Sequence, residues 1–129
     1  MTICVVNKTR DSVLGSQVRL ADTWRTRTRG YLGQPKPKAG QGILLSPCRG
    51  VHMWGMTYAL DVVFLDRQGV VVALYPGLRP RRITTWHRKA EYALEVPEGT
   101  IAATGTQHED RIVWLPVESG ADNGNGGAS

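Results

Sequence analysis

No apolar run in this chain approaches the roughly 18 residues that a helix needs to cross a bilayer, so no membrane span is expected. Its start, MTICVVNKTRDSV, lacks a basic flank leading into an apolar stretch, which points to a soluble, unexported, cytoplasmic protein. Cysteine is scarce as well. Cys4 and Cys48 make no disulfide framework in a domain large enough to build its own core, and both are expected as free thiols. No internal repeat is visible. From Glu118 onward, ESGADNGNGGAS has no large apolar side chain, so residues 118–129 are expected to be a disordered tail behind a single domain over 1–117.

What is present describes an ordinary globular domain. A chain of 129 residues suits one domain, and a domain of this size buries roughly 65–70% of its unfolded surface. The 41% hydrophobic and 21% charged content argues against both wholesale disorder and a fibrous repeat. The net charge of +5 comes from arginine-rich connections: Arg25, Arg27 and Arg29, then Arg79, Arg81, Arg82, Arg88 and Lys89. Such a field favours phosphates, acidic lipids or acidic polymers. Aromatic residues interleave thinly with these cations, so a solvated surface is the expectation and nucleic acid is not an expected partner.

Along the chain, TICVVN (2–7) and QVRL (17–20) read as strands of an opening hairpin around Asp11, Ser12 and Gly15. Asp22 or Thr23 can cap a helix over 23–32, whose Trp24, Thr28, Tyr31 and Leu32 share one face before Gly33. The prolines and glycines of 33–42 exclude a regular element. Ile43–Leu45 is a strand that Pro47 ends. LDVVFLD, apolar on both faces except for Asp61, reads as a central strand, followed by a type I turn at Asp66–Gly69 and the partner strand VVVALY. EYALEV (91–96), a helical turn at IAAT and a last strand RIVWL (111–115) complete the fold. With one helix among seven or so strands, the expected class is mainly β: antiparallel coiled sheets, as a sandwich or partly open barrel, with one short N-terminal helix.

Chemistry concentrates in Ser46–Tyr75. If Met56–Ala59 form a hairpin loop, Trp54 sits opposite Asp61 and His52 lies diagonally across from its carboxylate. A carboxylate on an otherwise apolar strand needs a partner. His52, Arg29 and Arg49 are the candidates. Cys48, four residues before His52, completes a possible Cys48–His52–Asp61 arrangement of nucleophile, base and orienting acid. The plainer alternative is a buried thiol beside a structural histidine. A closed zinc site needs four ligands, and the remaining candidates Cys4, His87, His108 and Asp61 are scattered, so no metal and no cofactor are expected. His87 and His108 read as exposed loop residues. Trp54, Met56 and Tyr58 cluster around Gly55, either as packing or, with Arg49, as the lining of a cleft suited to a planar-faced ligand.

The segments ADTWRTRTRGYLG, GQGILLSPCRGVHMWGMTYALDVVFLD and EYALEVPEGTIAATG resemble the bacterial and archaeal family called domain of unknown function 192. The resemblance spans nearly residues 3–115 and is most specific from Pro47 through Asp66, in its Pro-Cys, His, Gly-Met and Leu-Asp-x-x-Phe-x-Asp elements. It implies a mostly β single domain of coiled sheets with one short N-terminal helix, and no function. Gly33-Gln34 and Glu109-Asp110 depart from the family pattern, which weakens a site built on Gln34 or Asp110.

The leading expectation is a monomeric, non-enzymatic binding or accessory module for a small molecule or protein, with its pocket around Cys48, His52, Trp54, Met56 and Asp61. A Cys48/His52 hydrolase or transferase is the alternative. Polyanion or nucleic-acid binding through the basic loop 79–89 is a third.

Overall fold

The strand Leu60–Leu65 (β4) is buried at every position, and it shows how the molecule is layered. A computed structural model describes residues 1–22 and 30–117. Among these, β1 (Thr2–Asn7), β2 (Ser12–Ala21), β3 (Gln41–Leu45), β4, β5 (Val71–Leu78), β6 (Tyr92–Pro97) and β7 (Ile112–Pro116) form one sheet in the order β5-β4-β6-β3-β2-β1-β7. The sheet curls into a half-barrel. Its two edges meet at the start of β5 and β7, where Val70 bridges Arg111 and the Ile112 N–H donates to the Gly69 carbonyl at 2.8 Å. Gly69 sits at φ +83°, and a Cβ there would collide with that Ile112 carbonyl, so the closure requires glycine.

The period-two pattern of the strands divides the core in two. Val63, Leu65, Leu44, Leu94 and Val96 face the inside of the curl with Ile3, Val5 and Val18 from the other half of the sheet. Leu60, Val62, Phe64, Ile43, Leu45 and Ala93 face outward, under a layer that includes Tyr31, Met53 and Ala90. The alternation expected for β4 is therefore the one observed. The turn Asp66–Gly69 is present too, with Asp66 Oδ1 accepting from the N–H groups of Gln68 and Val70 at 2.9 Å each.

Three expectations change. The sheet is single, so the partly open barrel holds and the sandwich does not. It is also not wholly antiparallel: β2 and β3 run parallel, from Gln17↔Gln41 to Ala21↔Leu45. Of the helix expected over 23–32, residues 23–29 lie outside the described ones and residues 30–33 form turns. Among the described residues the one helix is α1 (Thr100–Thr104), towards the C-terminus, closed by Gly105 in the left-handed region. The expected tail, 118–129, lies outside the described residues.

Candidate functional site

The outer face of β3, β4 and β6 is roofed by irregular chain, and the roof is built from the stretch that carries the sequence signals. Ser46–Pro47 is a cis peptide. Beyond it the chain runs antiparallel to residues 81–91: Cys48 N–H donates to Glu91 O at 2.9 Å, His87 N–H to Arg49 O at 2.8 Å, Thr84 N–H to Val51 O at 2.9 Å and Met53 N–H to Arg82 O at 2.7 Å. His52 bridges Ile83 in this ribbon. Alternation then buries Met53 and leaves His52 and Trp54 exposed, their rings 5.9 Å apart.

Between ribbon and sheet lies a cleft of about 690 Å³. Val51, Trp54, Met56 and Trp86 give it apolar walls; Cys48, Arg49 and His52 give it polar ones. The Cys48 thiol donates to the Gly50 carbonyl at 3.2 Å and Arg49 Nε to the Ala90 carbonyl at 3.2 Å. So five of the residues singled out from the sequence do converge.

Two do not. Asp61 points to the inside of the curl, where Oδ1 accepts from the Gly77 N–H at 2.8 Å and Oδ2 from the N–H groups of Gly99 at 3.2 Å and Ile101 at 2.8 Å. The acid is satisfied by main-chain amides, and it fastens the start of α1 to the sheet. The expected hairpin is absent because β4 is paired on both sides, with Val96 opposite Asp61 on β6, and His52 is held by Ile83 instead. No His52–Asp61 couple exists, and with it goes the orienting acid of the Cys48–His52–Asp61 arrangement. Tyr58 is not part of the cleft lining; its hydroxyl reaches the carbonyls of Gln34 at 2.9 Å and Pro35 at 3.3 Å and ties down that loop.

The floor of the cleft holds a group that the sequence reading passed over. Glu95, on β6 between Ile43 and Val62, lines the cleft at 6% exposure, and its Oε1 is shielded from solvent with no hydrogen-bond partner among the described residues. Burial pushes its carboxyl up to about 7 against the opposing pull of the Tyr31 main-chain N–H. Among the described residues no three His, Cys, Asp or Glu side chains converge to hold a metal ion.

The family model for DUF192, described as "Uncharacterized ACR", matches residues 5–114. The chain belongs to the DUF192 family. It is 35% identical over 114 residues to a UPF0127 protein of Thermococcus sibiricus, covering 85% of this chain and 73% of that one. A UPF0127 protein of Thermococcus kodakarensis is 30% identical over 118 residues, covering 88% and 74%. The fold is similar to that of a crystal structure of a protein of unknown function from Novosphingobium aromaticivorans, at TM-score 0.75 and 17% identity, with 88% of this chain and 84% of that one covered.

In this DUF192 chain the block Pro47–Asp66 thus serves two places: its first half roofs the cleft, while Asp61 braces the opposite side of the sheet. Glu95 escaped notice because Ala93 and Glu95 alternate with Leu94 and Val96 in the way a half-exposed strand would. The one available signal was that EYALEV is a short strand in a sheet too wide to leave its centre in water. His87 is also misplaced as an exposed loop residue. It is half-buried, 4.7 Å from the Phe64 ring and 2.7 Å from the Tyr75 hydroxyl, and burial lowers its pKa.

Proposed function

We propose that this DUF192 domain is a non-enzymatic binding module whose cleft takes a small molecule with a flat or apolar body and a hydrogen-bond donor at one end. The observation that carries the reading is Glu95 Oε1, without a hydrogen-bond partner among the described residues, beneath an apolar-walled cleft of about 690 Å³. That volume is within the range of small-molecule sites, in which a few polar groups orient a mostly apolar ligand. A buried carboxyl oxygen without a partner is costly, and a ligand N–H, best an ammonium, supplies what the fold leaves out. The body would rest against Trp54, Trp86 and Met56. Asp61 belongs to the inside of the sheet and does not orient His52 as a base towards Cys48, which favours binding over thiol chemistry.

Trp54 and Trp86 report on the cleft directly. Titrating the protein with aromatic amines and with their methyl counterparts, read by tryptophan emission, should give saturable binding of the amines, weaker by about tenfold for the counterparts and for the Glu95→Gln protein. Equal binding of both series, or no binding of either, refutes the reading.

A further inference from the structure

The exposed face of the same ribbon presents a second feature, which shares Trp54 and Trp86 with the rim of the cleft and adds Ile83 outside it. Trp54, Ile83 and Trp86 are 61%, 63% and 68% exposed, although each is large and apolar. They share a face. Ile83 pairs with His52, two residues from Trp54; the Trp54 indole N–H donates to the Arg81 carbonyl at 3.1 Å; and a Cβ on Gly50, two residues before His52, would lie 3.4 Å from the Trp86 ring. Scattered apolar side chains on a surface need no explanation, but a contiguous group marks an interaction site.

Charge says what kind. Residues 68–90 contain no acidic residue and five cations, Arg79, Arg81, Arg82, Arg88 and Lys89; the facing strand of the ribbon, 47–58, has no acid either and adds Arg49. All six are exposed, and the two ion pairs among the described residues engage Arg10 and Arg67 instead. Glu91, the next acid along the chain, is the partner of Arg67.

We infer that this face docks onto an anionic lipid surface, with Trp54, Ile83 and Trp86 seated at the headgroup level and the surrounding arginines and lysine on the lipid phosphates. Tryptophan is at home at that depth, and clustered Lys and Arg beside it are drawn to anionic leaflets. Single-stranded nucleic acid would use the same cations, but it is read by stacking on aromatic faces. Ile83, as exposed as the two tryptophans, is aliphatic: it suits acyl chains and adds no stacking surface for a base.

The test is co-sedimentation with phosphatidylcholine vesicles, with and without one-third phosphatidylglycerol, at about 0.15 M salt. Binding to the anionic vesicles alone, with a blue shift of tryptophan emission, is expected. Ile83→Asp and the double substitution Arg81→Glu, Arg82→Glu should each weaken partitioning by about tenfold or more, with circular dichroism unchanged. Neither Ile83 nor these arginines line the cleft, so amine titration of the same variants should be unaltered; this separates failure of docking from failure of the binding module. The inference is overturned if anionic vesicles are not preferred, if Ile83→Asp binds like the unsubstituted protein, or if a single-stranded oligonucleotide binds while vesicles do not.

Discussion

Gly30 and Glu95 approach so closely that a Cβ on Gly30 would lie 2.9 Å from Glu95 Oε1. Gly30 also sits at φ +49°, where a side chain is strained. The turn at residues 30–33, within the connection between β2 and β3, is thereby pressed onto the buried carboxyl, with the Tyr31 main-chain N–H bonded to it. Gly30→Ala is expected to destabilise the domain by roughly 1–3 kcal/mol, measured by urea unfolding, through backbone strain and crowding of Oε1 together.

Glu95 makes stability depend on pH in an unusual direction. Its carboxyl stands at about 7 in the folded chain and 4.5 in the reference state, so between those values the folded protein holds a proton that the unfolded chain has released. Stability is greatest below the lower value, falls as pH rises through the window, and stays lower above it. Glu95→Gln should remove that slope and stabilise the protein at pH 8 by an amount on the order of 3 kcal/mol, with little effect near pH 4. Thermal melts of both proteins across this range check it.

Asp110 works in the opposite sense. Burial alone would raise its carboxyl, but Oδ2 receives N–H donors from Arg10 at 3.0 Å, Asn7 at 2.9 Å and Gln107 at 2.9 Å, which with the Arg10 charge hold it at about 2. Its folded value lies below the 3.8 of the reference state, so its contribution is complete above that value and is lost as pH falls through about 2. Asp110→Ala should cost about 1–3 kcal/mol at pH 7, and much of the difference from the unsubstituted protein should vanish in acid.

The separation of Asp61 from His52 sets two substitutions apart. Asp61→Ala strands the N–H groups of Gly77, Gly99 and Ile101 and should cost on the order of 4 kcal/mol, whereas His52→Ala, at an exposed position, should stay within about 0.5 kcal/mol. A coupling between the two in a double-mutant cycle would contradict the geometry.

Which parts of this were readable from the sequence follows from range. The alternation of Leu60, Val62 and Phe64 with Val63 and Leu65, the Asp66–Gly69 turn and the stop at Gly105 are local, decided by side-chain parity and by residues that tolerate a turn. The convergence of Cys48, Arg49, His52, Trp54 and Met56 was legible because they are close in sequence. The partners were not. His52 can alternate in register with any extended neighbour, and Ile83 lies 31 positions away, as the difference of the two residue numbers gives. Asp61 finds its donors on β5 and α1, and no pattern within a strand says whether an acid meets a distant amide or a nearby imidazole. The parallel pairing of β2 and β3 joins residues 24 positions apart, as Gln17 and Gln41 are, and the burial of Glu95 depends on what covers its face of β6.

The most direct measurement is the carboxyl carbon resonance of Glu95, followed by NMR against pH in the free protein and in the presence of a saturating aromatic amine. The expected midpoint is near 7 in the free protein and moves downward with the amine, since a cation at Oε1 favours the carboxylate. A midpoint near 4.5 in the free protein, or one that the bound amine leaves unchanged, would contradict the placement of the ligand's donor at this residue.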